Sequence, residues 1–268
     1  MIVRSLGYRT DLIFARFDGV VIDRGEYLVV RTPSNPTFYW GNFLLFTAPP
    51  APGDFDRWRS LFAQEIGPPS RVSHMAFGWD TVDGESGDVA PFVEAGFSLD
   101  VGVVLTAQSV TRPVKFNEDV LVRELTEDWE WDAAFDNQMA CRDEDHEEAG
   151  YRVYASRRLA RCRAMARAGL GSHYGAFLGN RLVGDLGIFV DDGMGRFQMV
   201  GVHPDFRRRG ICGAMVYQAA TQVFERGNAH TLAIVANANY HAAHIYHSTG
   251  FVPTERQVGV TWWERPRG

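Results

Sequence analysis

Three cysteines in 268 residues, Cys141, Cys162 and Cys212, are too few and too widely spaced for a disulfide framework or a zinc site. No apolar run approaches the length that crosses a bilayer. The opening residues, Met1 to Gly7, carry neither the apolar core nor the cleavage pattern of a secretion signal. A reducing cytoplasm is therefore the expected compartment, and no membrane partner is expected. Basic residues are in deficit as well: 27 Lys and Arg against 33 Asp and Glu give a net charge of −6 and a pI near 5.8. That disfavours nucleic acid as the main partner, because a phosphate backbone needs a broad basic surface. An acidic surface suits a cationic acceptor such as an amine. Hydrophobic residues at 46% and charged residues at 22% fit a soluble globular protein. At this length the chain can be one large domain or two modest ones, with a core that needs no metal or disulfide.

Against this background one local concentration of positive charge stands out. The run Val202-His203-Pro204-Asp205-Phe206-Arg207-Arg208-Arg209-Gly210-Ile211-Cys212-Gly213 follows an apolar stretch, Phe197-Gln198-Met199-Val200, that reads as a strand. It leads into Ala214 to Ala220, which reads as a helix. A glycine-bearing turn between strand and helix exposes backbone N–H groups at a helix N-terminus, where the helix dipole favours a phosphate or pyrophosphate. The three arginines add donors that fit phosphate oxygens. A solvated basic turn is the alternative.

A second segment lies downstream: Asn239-Tyr240-His241-Ala242-Ala243-His244-Ile245-Tyr246-His247-Ser248-Thr249-Gly250-Phe251. Together the two segments resemble the GNAT superfamily of acyl-CoA-dependent N-acetyltransferases. The family's turn pattern, Gln/Arg-x-x-Gly-x-Gly/Ala, falls on Arg207, Gly210 and Cys212. Its later pattern, Asn-x-x-Ala-x-x-x-Tyr-x-x-x-Gly-Phe, falls without a gap on Asn239, Ala242, Tyr246, Gly250 and Phe251. Cys212 departs from the family, which has Gly or Ala there. The resemblance implies acetyl-CoA as co-substrate, held by Arg207, Arg208, Arg209, Gly210, Ile211, Cys212 and Gly213, with Asn239 as a further contact or a helix cap. It also implies that backbone groups of Met199, Val200 and Val202 bind the pantetheine arm and polarise the carbonyl. Tyr246 takes the role of proton donor to the departing thiolate, with a structural tyrosine as the alternative.

The fold class expected is α/β (α+β), as tandem acetyltransferase-like mixed sheets flanked by helices. Residues 107–119 have loop composition and link the halves, giving a degenerate domain over 1–112 and a catalytic domain over 113–268. In the second half strands are predicted at Val120–Glu124, His173–Leu178, Leu182–Val190, Arg196–Val202, His230–Ala236 and Arg256–Glu264. Helices are predicted from Asp128, as cap, to Met139, and over Tyr154–Ala168, Ile211–Arg226 and Tyr240–Ser248. In the first half strands are predicted at Glu26–Thr32, Thr37–Thr47, Val72–Trp79 and Ser98–Thr106. Helices there are predicted at Asp54–Ile66, capped by Asp54, and Asp88–Ala95.

The order helix, strand, helix, Gly-Phe, strand recurs in both halves. About forty residues separate Asp54 from Gly96, and Gly210 from Gly250. Coincidence between two α/β segments is the alternative to a worn copy. As a copy, the first half has lost its chemistry. Ala48-Pro49-Pro50-Ala51-Pro52-Gly53 stands where the arginine turn would be, and proline has no N–H to offer a phosphate. Phe92 stands four residues before Gly96, where Tyr246 stands four before Gly250. The first half is then structural, or one wall of the acceptor site.

Acyl transfer to an amine needs a neutral amine held close to the carbonyl, donors for the developing oxyanion, and a proton for the thiolate. The general base stays open. Asp185 on its apolar strand reads as facing an exposed sheet surface, or else the acceptor cleft. Asp143-Glu144-Asp145-His146-Glu147-Glu148 reads as a solvated loop, or else as an acidic border that attracts a cationic amine. His241, His244 and His247 read as surface residues rather than metal ligands, since no cluster completes a site; no metal is expected. Of Trp262 and Trp263 at least one belongs in a core, and the other is a candidate for touching substrate. Phe38, Tyr39, Trp40 and Asn42 form an aromatic cluster suited to packing between halves or to an acceptor wall. Cys212, a thiol at a helix N-terminus, is expected to have a lowered pKa. The function expected is acetyl-CoA-dependent N-acetylation of a primary amine, a small molecule or a peptide. The rivals are a non-catalytic acyl-CoA sensor and a protein-modifying acetyltransferase.

Overall fold

The structure is a computed structural model that describes residues 1–68, 71–237 and 242–263; of Ala242 and Ala243 only the backbone is described. The chain divides into two compact units: Met1–Val104 with Glu255–Gly268, and Leu105–Thr254.

The first unit opens with helix α1 (Leu6–Asp18) and strand β1 (Val20–Asp23), for which no element is predicted. Tyr8, Leu12 and Ala15, at helical spacing, bury one side of α1. Its first turn is tied down by carboxylates: Asp80 accepts from Arg4 N and Ser5 N at 2.8 Å each, and Glu255 from Leu6 N at 2.6 Å. Then come β2 (Tyr27–Arg31), a helical turn at Tyr39–Gly41, β3 (Phe43–Phe46), α2 (Asp54–Glu65), β4 (His74–Trp79), α3 (Ala90–Glu94) and β5 (Ser98–Ala107). The long strand predicted over Thr37–Thr47 is thus a helical turn and a short strand. Asn42 explains the break. Its buried amide bonds the carbonyls of Asn35 and Phe38, and its Oδ1 accepts from Thr32 N, which folds the chain back on itself.

The second unit contains β6 (Val120–Glu124), α4 (Asp128–Ala140), α5 (Glu148–Arg167), β7 (Gly171–Leu178), β8 (Arg181–Asp191), β9 (Met194–Val202), a helical turn at Pro204–Phe206, α6 (Ile211–Glu225), β10 (Thr231–Asn237) and α7 (Ala242–Ser248). Helix α5 begins six residues before its predicted start. Part of the acidic run is its cap, since the Glu147 side chain accepts from Ala149 N and Gly150 N. In α4 the cap is Glu127 rather than Asp128; Glu127 and Glu130 form a reciprocal capping box.

In the first unit the strand order is β1-β2-β3-β4-β11-β5, where β11 (Val252–Trp263) is the last strand of the chain. β11 runs antiparallel to β4, with Gly259 opposite Gly78 and Trp263 opposite His74. In the second unit the order is β10-β9-β8-β7-β6. Its β6 to β9 are antiparallel neighbours, and β10 is parallel to β9.

The core of the first unit is aromatic. Phe46 stacks on Trp58 at 3.8 Å, and Phe62, Phe77, Trp79, Phe92 and Phe97 complete the cluster. The Phe38–Asn42 segment packs within this unit: Trp40 lies against Gly259 and Phe43, and Tyr39 stacks between His74 and Trp263. Neither Trp262 nor Trp263 is fully buried; both are half-buried, and Trp262 packs on the aromatic core.

Candidate active site

The site begins with an irregularity in β9. Asp185 pairs with Gly201, and Gly187 with Gln198, so Met199 and Val200 stand opposite Leu186 alone. This is a β-bulge, with one extra residue on β9. Met199 takes φ of 55°. A left-handed backbone at a side chain other than glycine costs about 1–3 kcal/mol and needs support from its surroundings. β9 and β10 pair only from Met194↔Thr231 to Arg196↔Ala233. Beyond Arg196, β9 stays on β8 while β10 diverges. The Phe197–Val202 edge that faces β10 is therefore left without strand partners among the described residues, and Met199, Val200 and Val202 all lie on it.

The turn follows directly. Arg208 has φ of 63°, and Gly210, the cap of α6, has φ of 77°. Two left-handed residues set one apart turn successive N–H groups to one side, an arrangement that suits an anion. The first α6 bond is Ala214 N to Gly210 O, at 3.1 Å. The N–H groups of Ile211, Cys212 and Gly213 therefore have no partner within the helix. Arg208 and Arg209 are exposed beside them. Arg207 has a structural tie: its Nε donates to Val202 O at 3.1 Å and pins the turn to the end of β9. A Cβ at Gly210 would sit 3.1 Å from backbone atoms of Lys115, Phe116 and Asn117, a contact that would force them back by a few tenths of an ångström, on a backbone already left-handed.

Those contacts come from the segment after β5, which packs rather than dangles. Asn117 Nδ2 donates to Arg209 O at 3.0 Å, and Thr111 N to Thr249 O at 3.0 Å. One strap thus touches both the arginine turn and the end of α7. Tyr246 in α7 is buried at 6% exposure. Its carbonyl accepts from Thr249 N and Phe251 N. Phe251 meets Phe197 of β9 edge-on at 5.6 Å, which brings the end of α7 against the strand that carries the bulge. Asn239 and His241 lie outside the described residues. His244 and His247 are exposed.

Two expectations are corrected here. The Cys212 thiol is not lowered: burial pushes it up to about 12. Asp185 faces no solvent. It is fully buried and accepts from His173 Nε2 at 2.7 Å, Asn137 Nδ2 at 2.5 Å and Gln138 Nε2 at 2.9 Å. Burial opposes charge on His173, but the hydrogen bonds to Asp185 and Cys162 and the charge of Asp185 together raise its pKa to about 9. The His173–Asp185 contact lies wholly in the core. No signal in the sequence could join His173, Asp185, Asn137 and Gln138, since α4, β7 and β8 meet only in the folded unit.

Arg158 on α5 bonds Gln198 of β9 and the Tyr154 hydroxyl, one strand position before the bulge. Burial pushes Tyr151, a neighbour of Tyr154, up to about 12. Among the described residues no group of three His, Cys, Asp or Glu side chains could hold a metal ion, and no helix is long and apolar enough to cross a membrane.

The sequence profile of the acetyltransferase (GNAT) family matches residues 125–251. No curated protein matches the sequence. Among solved structures, the fold is similar to a conserved protein of unknown function from Staphylococcus epidermidis, with TM-score 0.71 and 16% identity over 92% of this chain and 95% of that one. It is similar to a GCN5-related N-acetyltransferase from Kribbella flavida, with TM-score 0.64 and 16% identity over 98% and 97% of the two chains. A GCN5-related N-acetyltransferase from Sphaerobacter thermophilus gives TM-score 0.59 and 16% identity over 91% and 83%. The similarity extends through the N-terminal half. Residues 125–251 are therefore a domain of the acetyltransferase (GNAT) family, in a chain with the GCN5-related N-acetyltransferase fold.

Proposed function

We propose that this protein is an acetyl-CoA-dependent N-acetyltransferase acting on a primary amine. The observation that carries the reading is the continuous path from the opened edge of β9, through the bulge at Met199, into the left-handed turn at the start of α6. The N–H groups of Ile211, Cys212 and Gly213, with Arg208 and Arg209, fit a pyrophosphate. The free edge at Met199, Val200 and Val202 fits an extended amide-bearing arm and offers donors to a carbonyl oxygen. The thioester supplies an activated acyl group and a thiolate leaving group. The amine nitrogen forms the new C–N bond as the C–S bond breaks, Tyr246 gives its phenolic proton to the sulfur, and the proton that the amine loses passes through water to restore the phenol. The bonds of Asn137, Gln138 and His173 to Asp185 hold it away from solvent, which suits a structural role better than that of a general base.

The test is thermal. A ligand that binds only the folded state raises the melting temperature. Acetyl-CoA is expected to raise it, S-acetyl-pantetheine to raise it far less, and Gly210→Asp to abolish the response. Equal shifts from both ligands would remove the phosphate cradle from the proposal.

A further inference from the structure

Three side chains on α4 reach three carbonyls of one strand. Gln138 Nε2 donates to Met199 O at 3.0 Å, Asn137 Nδ2 to Gly201 O at 3.3 Å, and Cys141 Sγ to Val202 O at 3.4 Å. The three carbonyls begin at the strained residue and run to the end of β9. Positions 137, 138 and 141 lie on one side of the helix end.

The amides also face the other way. Each NH₂ has two hydrogens to give. Asn137 and Gln138 each give to the Asp185 carboxylate as well as to the bulge. On its far side the carboxylate holds His173. A carboxylate that only needed partners would be satisfied by these amides wherever their second hydrogens pointed. Here both second hydrogens end on β9.

Peptide geometry supplies the consequence. The C=O of one residue and the N–H of the next belong to one planar unit and point in opposite directions. Fixing the Met199 carbonyl toward α4 therefore aims the Val200 N–H away from α4. Fixing the Gly201 carbonyl does the same for the Val202 N–H. These are the donors that the proposed transfer needs in fixed orientation.

We propose that Asn137, Gln138 and Cys141 are positioning residues that lock the β9 bulge, with the buried Asp185–His173 pair as their anchor, and that Gln138 is the central one. The idea rests on the transferase reading only for the use made of Val200 N–H; the lock itself is a property of the free protein.

The test uses the full chain and Gln138→Met, which keeps the side-chain length and removes both donors. The ¹⁵N order parameters of Val200 and Val202 should fall from about 0.85 to below about 0.6, since these free amides are held in place only through the carbonyls of their peptide units. Order in β6 and β7 should hold. With [1-¹³C]acetyl-CoA, the bound carbonyl resonance of the wild type should lie downfield of free ligand, and in Gln138→Met it should move back toward the free position. The dissociation constant should change less than about threefold, because the arginine turn is untouched. Unchanged order at Val200 would overturn the lock, as would a loss spread equally through the unit, which would make Gln138 a mere support of the fold. Should Gln138→Met not fold, the free wild type decides: order parameters of about 0.85 at Val200 and Val202 are expected, and values below about 0.6 there count against the lock. If the wild type shows no bound acetyl-CoA resonance, the transferase reading fails while the order parameters still decide the lock.

Discussion

Each unit contains a pair of parallel strands and, after the first of them, a helix that starts at a left-handed glycine, yet the two pairs part differently. In the first unit β3 stays paired with β4 to its last residue, Phe46, and Asp80 N extends the contact to Phe46 O at 2.9 Å. In the second unit pairing of β9 with β10 ends at Arg196, with Phe197 to Val202 still to come. The glycines do not make the difference, since Gly53 has φ of 91° and Gly210 of 77°, and Gly96 matches Gly250 at 88° and 97°. The bulge and what fills the space do. Below the closed pair of the first unit Phe46 stacks on Trp58, within reach of Phe77 and Phe92. The same backbone plan thus yields a packed core where the strands stay zipped, and a free polar edge where one strand gains a residue.

The sharpest way to break this comparison is to exchange the residues that stand four before each Gly-Phe. Tyr246→Phe removes the proposed proton donor and keeps the ring. Turnover should fall about 10²- to 10⁴-fold, with the dissociation constant for acetyl-CoA nearly unchanged. The reciprocal change, Phe92→Tyr, places a hydroxyl in a core position of 0% exposure. It should cost about 1–3 kcal/mol of stability and add no activity. Unaltered turnover in Tyr246→Phe, measured on an acceptor the wild type uses, would take Tyr246 out of the mechanism.

Next in size is the stacked pair itself. Trp58 is 1% exposed, so Trp58→Ala should destabilise the protein by about 3–5 kcal/mol in urea titrations. If the first unit is structural, the folded variant should bind one acetyl-CoA per chain with the wild-type constant. A large loss of affinity in the folded variant would mean that the first unit helps to build the site.

These contrasts differ in how far the sequence reveals them. The arginine turn, the Gly-Phe pairs and most strand positions follow from local composition, because glycine, proline and alternating apolar residues act within a few positions. The bulge does not, since Met199 in a left-handed conformation has no composition signal. Asp185 reads as a charged residue on a strand, and whether that face meets water depends on α4, about forty-five residues earlier in the chain. The partner of β11 is likewise a matter of pairing at long range: nothing local in Val252–Trp263 names β4. Asp54 and Asp128 read as caps because aspartate favours that place, but each cap sits one residue earlier, at Gly53 with its left-handed backbone and at Glu127 through the local box with Glu130.

The finest comparison is between two buried histidines. His74 on β4 donates from Nε2 to Asn42 O at 3.1 Å, has no acidic partner among the described residues, and is held below its ordinary pKa by burial. His173 on β7 faces Asp185 and is raised to about 9. The signs are opposite. Below an unfolded pKa near 6.5 the unfolded chain protonates His74 while the folded one resists, so the first unit loses stability as pH falls. Between 6.5 and about 9 the folded chain keeps a proton on His173 that the unfolded chain has lost. That contribution is complete below 6.5 and disappears as pH rises through 9. Its upper bound is on the order of 3 kcal/mol, from the size of the shift. Burial raises Tyr151, Tyr174 and Cys212 to about 12, but the unfolded chain ionises such groups from about pH 8.5 upward, so a reading that stops at pH 8 leaves them out. Hydrogen exchange read separately on β2 to β4 and on β6 to β8 should therefore show the first unit weakening from pH 7 to 5 and the second from pH 7 to 8. In His173→Gln the alkaline limb should flatten while the acid limb persists. An alkaline limb that survives in His173→Gln would mean that the buried pair is neutral and that the two histidines do not differ in charge.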